Sequence, residues 1–171
     1  MKKLFLIGFA IILCTACEQT EKRYTMQSPE IDSFKQVIDA YQKQDWATYK
    51  SHYADTAKIM SNTTLEFAKT IDQEIAQNKK DASLFHSWKY NPEDVEYEMV
   101  ITDEGETWVN FWGDWKARLK ENNKEYTIPA HITARFLNGK IVREVGYWDI
   151  SKLALDLQQM EIAKNKPVPS E

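Results

Sequence analysis

No cysteine follows residue 17 of this 171-residue chain, so what folds beyond that point is held by packing without a disulfide. Glycine is scarce, five in all, and nowhere forms the phosphate-cradling loop of nucleotide enzymes. The one extended apolar run, residues 4–13, falls well short of the roughly 20 residues that span a bilayer. Histidine occurs only at positions 52, 86 and 131, far apart and in no metal-ligand spacing, so neither a metal nor a cofactor is expected. Basic residues are interleaved with acids and outnumbered by them, 22 to 26, which argues against a nucleic-acid partner. There is no internal repeat and no low-complexity block.

What is present begins at the N-terminus. Lys2 and Lys3, the apolar run, and Thr15-Ala16 ahead of Cys17 have the make-up of a secretory signal of the lipoprotein kind. Bulky Leu13 precedes Cys14 and sets that cysteine aside, so the expected cut leaves Cys17 first, its thiol carrying diacylglycerol. Each buried acyl methylene holds the anchor by about 0.8 kcal/mol. The expected setting is the bacterial cell envelope, with the protein held to a membrane by lipid. Residues 1–16 are then signal, 17–29 the lipidated cysteine and a flexible polar tether, 30–163 one folded domain, and 164–171 a flexible tail. Removing residues 1–16 takes two of the 22 basic residues and none of the 26 acids, so the mature formal charge is −6. About 150 residues make one ordinary core and are too few for two.

Ser28-Pro29-Glu30 opens a helix, with Ser as N-cap and Pro at the first helical position. Ile31, Phe34, Val37, Ile38 and Tyr41 then recur at helical spacing. A short helix over 45–53, a short strand over 57–60 and a third helix over 64–78 follow. The period then changes to two. Strands are expected at 84–90, 95–102, 107–120, 126–137 and 140–149, with Asn138-Gly139 as the clearest hairpin turn. A closing helix covers 151–163. Helices first and long antiparallel strands afterwards make an α+β fold, with the N-terminal helices packed on one face of a strongly curved sheet.

Two clusters of residues carry a family resemblance. The first is Val37-Ile38-Asp39-Ala40-Tyr41, Gln44-Asp45-Trp46 and Tyr53-Ala54-Asp55-Thr56-Ala57. The second is His131, Phe136, Asn138-Gly139-Lys140-Ile141-Val142, Glu144 and Tyr147-Trp148-Asp149. In order and spacing these resemble the nuclear-transport-factor-2-like superfamily, in particular its polyketide-cyclase (SnoaL-like) branch, across roughly residues 30–160. The resemblance implies a cone-shaped (α+β) barrel whose mouth holds a small molecule. It spans isomerases, cyclases, dehydratases and non-catalytic binding modules, so it does not by itself assign a reaction. It does imply that Val37 and Ser61 stand where ketosteroid isomerases carry a tyrosine and a catalytic aspartate, which argues against that chemistry.

The resemblance leaves His131 and Asp149 as candidate catalytic residues, an imidazole and a carboxylate on the two strands of the final hairpin. Simple register across the Asn138-Gly139 turn pairs His131 with Gly146 and puts His131 and Asp149 on opposite faces; a bulge would bring them together. Asp149 can equally cap the last helix. Tyr53, Trp112, Trp115 and Trp148 are the expected pocket residues. Trp108 and Trp112 share a parity that Trp115 does not, so at least one tryptophan lies outside the cone, where a second copy of the chain can dock as a homodimer. Three readings stay open: a membrane-anchored protein binding a small hydrophobic or aromatic molecule, a cofactor-independent acid–base enzyme, and a dimeric interaction protein.

Overall fold

The computed structural model describes residues 23–165. The signal segment 1–16, the Cys17 lipidation site and residues 166–171 of the tail lie outside the described residues. In chain order the elements are β1 (Tyr24–Thr25), α1 (Pro29–Lys43), α2 (Trp46–Ser51), β2 (Tyr53–Ser61), a 3-10 turn (Leu65–Phe67), α3 (Ile71–Ala82), β3 (Phe85–Tyr90), β4 (Glu96–Ile101), β5 (Thr107–Leu119), β6 (Glu125–Leu137), β7 (Lys140–Trp148) and α4 (Ser151–Lys164).

The first helix starts as its sequence dictates. Ser28 Oγ accepts from the Ile31 amide at 3.2 Å and Pro29 occupies the first turn. It ends at Gln44, which takes a left-handed conformation (φ 58°). Two expectations need correction. Residues 23–29 do not behave as tether: Tyr24 and Thr25 pair with Val100 and Met99, so a short strand covers what would be the bare edge of β4. The third helix begins at Thr70, which forms a capping box with Gln73, and not at Thr64. Lys69 exchanges backbone hydrogen bonds with Ile59, and Leu65 and Phe67 stay exposed in the 3-10 turn before it.

The seven strands form one curved, unclosed sheet in the order β1-β4-β5-β6-β7-β2, with β3 pairing the second half of β5. All pairs are antiparallel except β2 with β7. Ile31, Phe34, Val37 and Ile38 of α1 fill the concave face against Val109, Phe111, Ala134, Phe136 and Ile141. A second cluster, Phe85, Trp88, Ala117, Leu119 and Tyr126, is covered by Leu153, Leu157 and Met160 of α4.

One irregularity positions the site. The hairpin turn at Asn138 (φ 51°) and Gly139 (φ 73°) sets Leu137 opposite Lys140 and Phe136 opposite Ile141. The next pair is Arg135 with Arg143, so Val142 is an extra residue in β7. Beyond this bulge His131 pairs with Tyr147 instead of Gly146, and every later side chain of β7 changes face. Glu144, Gly146 and Trp148 therefore join Ala134, Ile132 and Ala130 on the concave side.

Candidate functional site

Between the concave face, the helices and α4 lies a cavity of about 430 Å³. Its walls are aromatic and aliphatic: Phe34 and Tyr41 from α1, Tyr49 from α2, Tyr53 from β2, Tyr90 from β3, and Trp115 from β5. Ile150, Leu153, Ala154 and Leu157 close it from the side of α4.

Three carboxylates, Glu74, Asp81 and Glu144, line this space, and two of them, Glu74 and Glu144, are buried. Glu74, 6 % exposed, is fully served: Lys69 Nζ and Ser61 Oγ each donate to it at 3.1 Å. Glu144, 8 % exposed, has a single donor, the Tyr53 hydroxyl at 2.6 Å to Oε2. The Tyr49 and Tyr53 hydroxyls lie 3.2 Å apart. Tyr53 has one proton, committed to Glu144, so Tyr49 donates to Tyr53. No donor among the described residues bonds Glu144 Oε1. Burial pushes the Glu144 carboxyl up to about 7; the Tyr53 bond opposes that shift and the negative charge of Glu74 adds to it. The Tyr49, Tyr53 and Tyr90 hydroxyls are driven well above their ordinary value, first by burial, and stay protonated. Near neutral pH, Glu144 is poised to hold or release a proton.

Trp148, which lines the cavity, is fixed by the chain around it. Asn62, in a left-handed conformation (φ 50°), donates from Nδ2 to the Trp148 carbonyl at 2.9 Å and accepts the Trp148 amide at 3.0 Å. The Trp148 ring folds back over Gly146, where an added Cβ would stand 2.3 Å from a ring carbon. The Trp115 indole N–H is buried without an acceptor in hydrogen-bond geometry, although it lies near enough to the Tyr41 hydroxyl to influence it.

Of the residues singled out in sequence, Tyr53, Trp115 and Trp148 line the cavity. Trp112, His131 and Asp149 do not. Trp112 and His131 are cross-strand partners on the convex face, stacked with ring centroids 4.9 Å apart, beside exposed Tyr147. The reason is alternation: Ile128, Ala130, Ile132, Ala134 and Phe136 point inward, so odd-numbered residues of β6 point outward. Asp149 lies just past β7, exposed, with Oδ1 accepting from the Ser151 amide at 2.8 Å and from its hydroxyl, and those bonds hold its carboxyl below the usual range. The bulge does give Asp149 the parity of His131, but on the convex side and beyond the end of the strand. Glu144, a buried carboxylate that does line the cavity, follows Arg143 in β7. Its inward direction depends on the bulge, which no local residue pattern announces. Among the described residues no three His, Cys, Asp or Glu side chains stand close enough to hold a metal ion.

No family model matches the chain, and no curated protein matches it in sequence. Solved structures do match in shape. A candidate SnoaL-like polyketide cyclase from Shewanella denitrificans superposes with a TM-score of 0.60 at 17 % identity, covering 78 % of this chain and 99 % of that one. An NTF2-like protein of unknown function from Burkholderia pseudomallei gives 0.60 at 14 %, covering 75 % and 97 %. A protein with a ketosteroid-isomerase-like fold from Catenulispora acidiphila, solved with trimethylamine, gives 0.57 at 9 %, covering 70 % and 87 %. With helices on the concave side of an unclosed curved sheet and these neighbours in shape, the chain has the cone-shaped fold of the NTF2-like superfamily, shared with its SnoaL-like members.

Proposed function

We propose that this protein binds a small, largely apolar molecule in the cavity beneath α4, and that it does so while anchored to a membrane of the bacterial cell envelope through lipid on Cys17. The cavity carries the first part: about 430 Å³ of space whose lining is largely rings and aliphatic side chains, joined by Glu144, Glu74, Asp81, Lys69 and a few neutral polar residues. The trimethylamine in the Catenulispora structure belongs to that protein; it supports only that the interior of such a fold admits a small organic molecule. The anchor rests on Lys2, Lys3, the apolar run and Ala16-Cys17. Saturable quenching of tryptophan fluorescence by N-phenyl-1-naphthylamine, abolished by the cavity-filling substitution Ala130→Phe, is the expected result. Unsaturable quenching, or quenching indifferent to Ala130→Phe, refutes the pocket. Replacing Cys17 by Ser should move the protein out of the membrane fraction; a variant that stays membrane-bound refutes the anchor.

A second reading, acid–base catalysis, is favoured by one observation: a buried carboxyl that lines the cavity, is pushed up to about 7, and has one oxygen that no donor among the described residues bonds. In that reading Glu144 carries the proton, with Tyr53 orienting it, in place of the expected His131 and Asp149. Turnover of any bound compound that survives Glu144→Gln unchanged would remove it.

A further inference from the structure

We propose that the cavity's occupant is an organic cation, an alkylated or quaternary ammonium with apolar substituents, paired with Glu144 and enclosed by tyrosine and tryptophan rings. This rests on the pocket reading above and narrows its ligand class.

The two buried carboxylates are not equivalent. Glu74 already has a cation, Lys69, and a hydroxyl, Ser61. Glu144 has a neutral hydroxyl on one oxygen and, among the described residues, no donor on the other. A carboxylate more than nine-tenths buried with an open acceptor position is costly unless a partner arrives. The surroundings select the sign of that partner. The charged groups lining the cavity are Glu144 on β7, Glu74 and Asp81 on α3, and Lys69 just before α3. Lys69 is spent on Glu74, and Asp81 is bonded only by the neutral Gln77 side chain. Neither arginine nor histidine lines the cavity. The remaining polar lining is uncharged and includes the hydroxyls of Tyr41, Tyr49, Tyr53 and Tyr90, whose rings present negative π faces, and the side chains of Ser61, Asn62, Gln77 and Asn78. An anion would meet unopposed carboxylates. A neutral apolar molecule would fill the space and leave Glu144 unpaired. A cation with apolar arms gains the carboxylate and the rings together, the combination that recognises quaternary ammonium groups.

Proton linkage makes the idea sharp. Glu144 is partly protonated near pH 7. A cation favours its ionised form, so binding should expel protons from the protein. The experiment is titration calorimetry on the folded domain at pH 7 with benzyltrimethylammonium, which has no proton of its own, and with its neutral carbon isostere neopentylbenzene. Runs in two buffers of different ionisation enthalpy count the protons released. The expected result is at least tenfold tighter binding of the cation, with roughly half a proton released, both lost in Glu144→Gln. Equal affinity for the two compounds overturns the cation while leaving the pocket standing. Cation binding without proton release, or unchanged in Glu144→Gln, overturns the pairing with Glu144. Binding of neither compound overturns this inference, and the naphthylamine experiment then decides the pocket separately.

Discussion

Glu144→Gln should make the protein more stable at alkaline pH and change it little at acid pH. In the unfolded chain Glu144 has an ordinary carboxyl, near 4.5, whereas in the fold burial raises it to about 7. Below the lower value both states hold the proton and the residue costs nothing. Between the two values the unfolded state ionises while the folded state keeps its proton, so stability falls as pH rises. Above about 7 both are ionised and the penalty is complete. A shift of this size corresponds to roughly 3 kcal/mol in full, of which about 2–3 kcal/mol falls between pH 5 and pH 8. Glutamine keeps an amide oxygen for the Tyr53 hydroxyl to donate to, and removes only the titration. The assay is urea unfolding followed by tryptophan fluorescence at pH 5, 6, 7 and 8, for both proteins. The other titrating groups are common to the two chains, so the difference between the curves isolates Glu144. The variant should gain on the wild type steadily across that range. Parallel curves would show that Glu144 is not desolvated as described, and the argument for its role in the cavity would fall with it.

Three other outcomes are expected. Phe34→Ala, which empties a fully buried position packed edge-on against Phe111 at 6.3 Å, should cost about 3–5 kcal/mol in denaturant unfolding. Gly146→Ala should cost about 1–3 kcal/mol and displace the Trp148 ring, read as a shift in tryptophan emission that Gly105→Ala, with open space around it, does not produce. If a homodimer forms through the convex face, as proposed from the tryptophan parity, sedimentation velocity should show concentration-dependent association that Tyr147→Glu abolishes; a monomer at high concentration removes the dimer.

The sequence was informative where local chemistry decides structure. Ser28-Pro29 and Asn138-Gly139 mark a helix start and a hairpin because caps and turns depend on a few adjacent residues. Parity within β5 already separates Trp108 and Trp112 from Trp115. The alternation of β6 likewise contains the outward direction of His131, since the apolar residues around it occupy every even position. What local pattern does not contain is the bulge at Val142, and with it the inward turn of Glu144. A bulge is a property of two strands and the helix packed on them, not of one strand's composition. The edge strand at Tyr24–Thr25 escapes for a related reason: two residues between Arg23 and Met26 become strand only because β4 offers an open edge.

The parallel pairing of β2 with β7 has a consequence for how the chain acquires its site. Tyr53 and Glu144, a hydrogen-bonded pair in the cavity wall, are 91 residues apart in sequence, and almost everything between them must be placed before they meet. Such long-range closure is slow, because loop entropy is lost before the contact repays it. A nascent chain ending before β7 contains α1–α3 and most of the sheet, yet it has no Glu144, no Trp148, no α4 and no partner for β2. The cavity is therefore assembled late, and a truncated or stalled chain exposes its aromatic walls to water and to other chains.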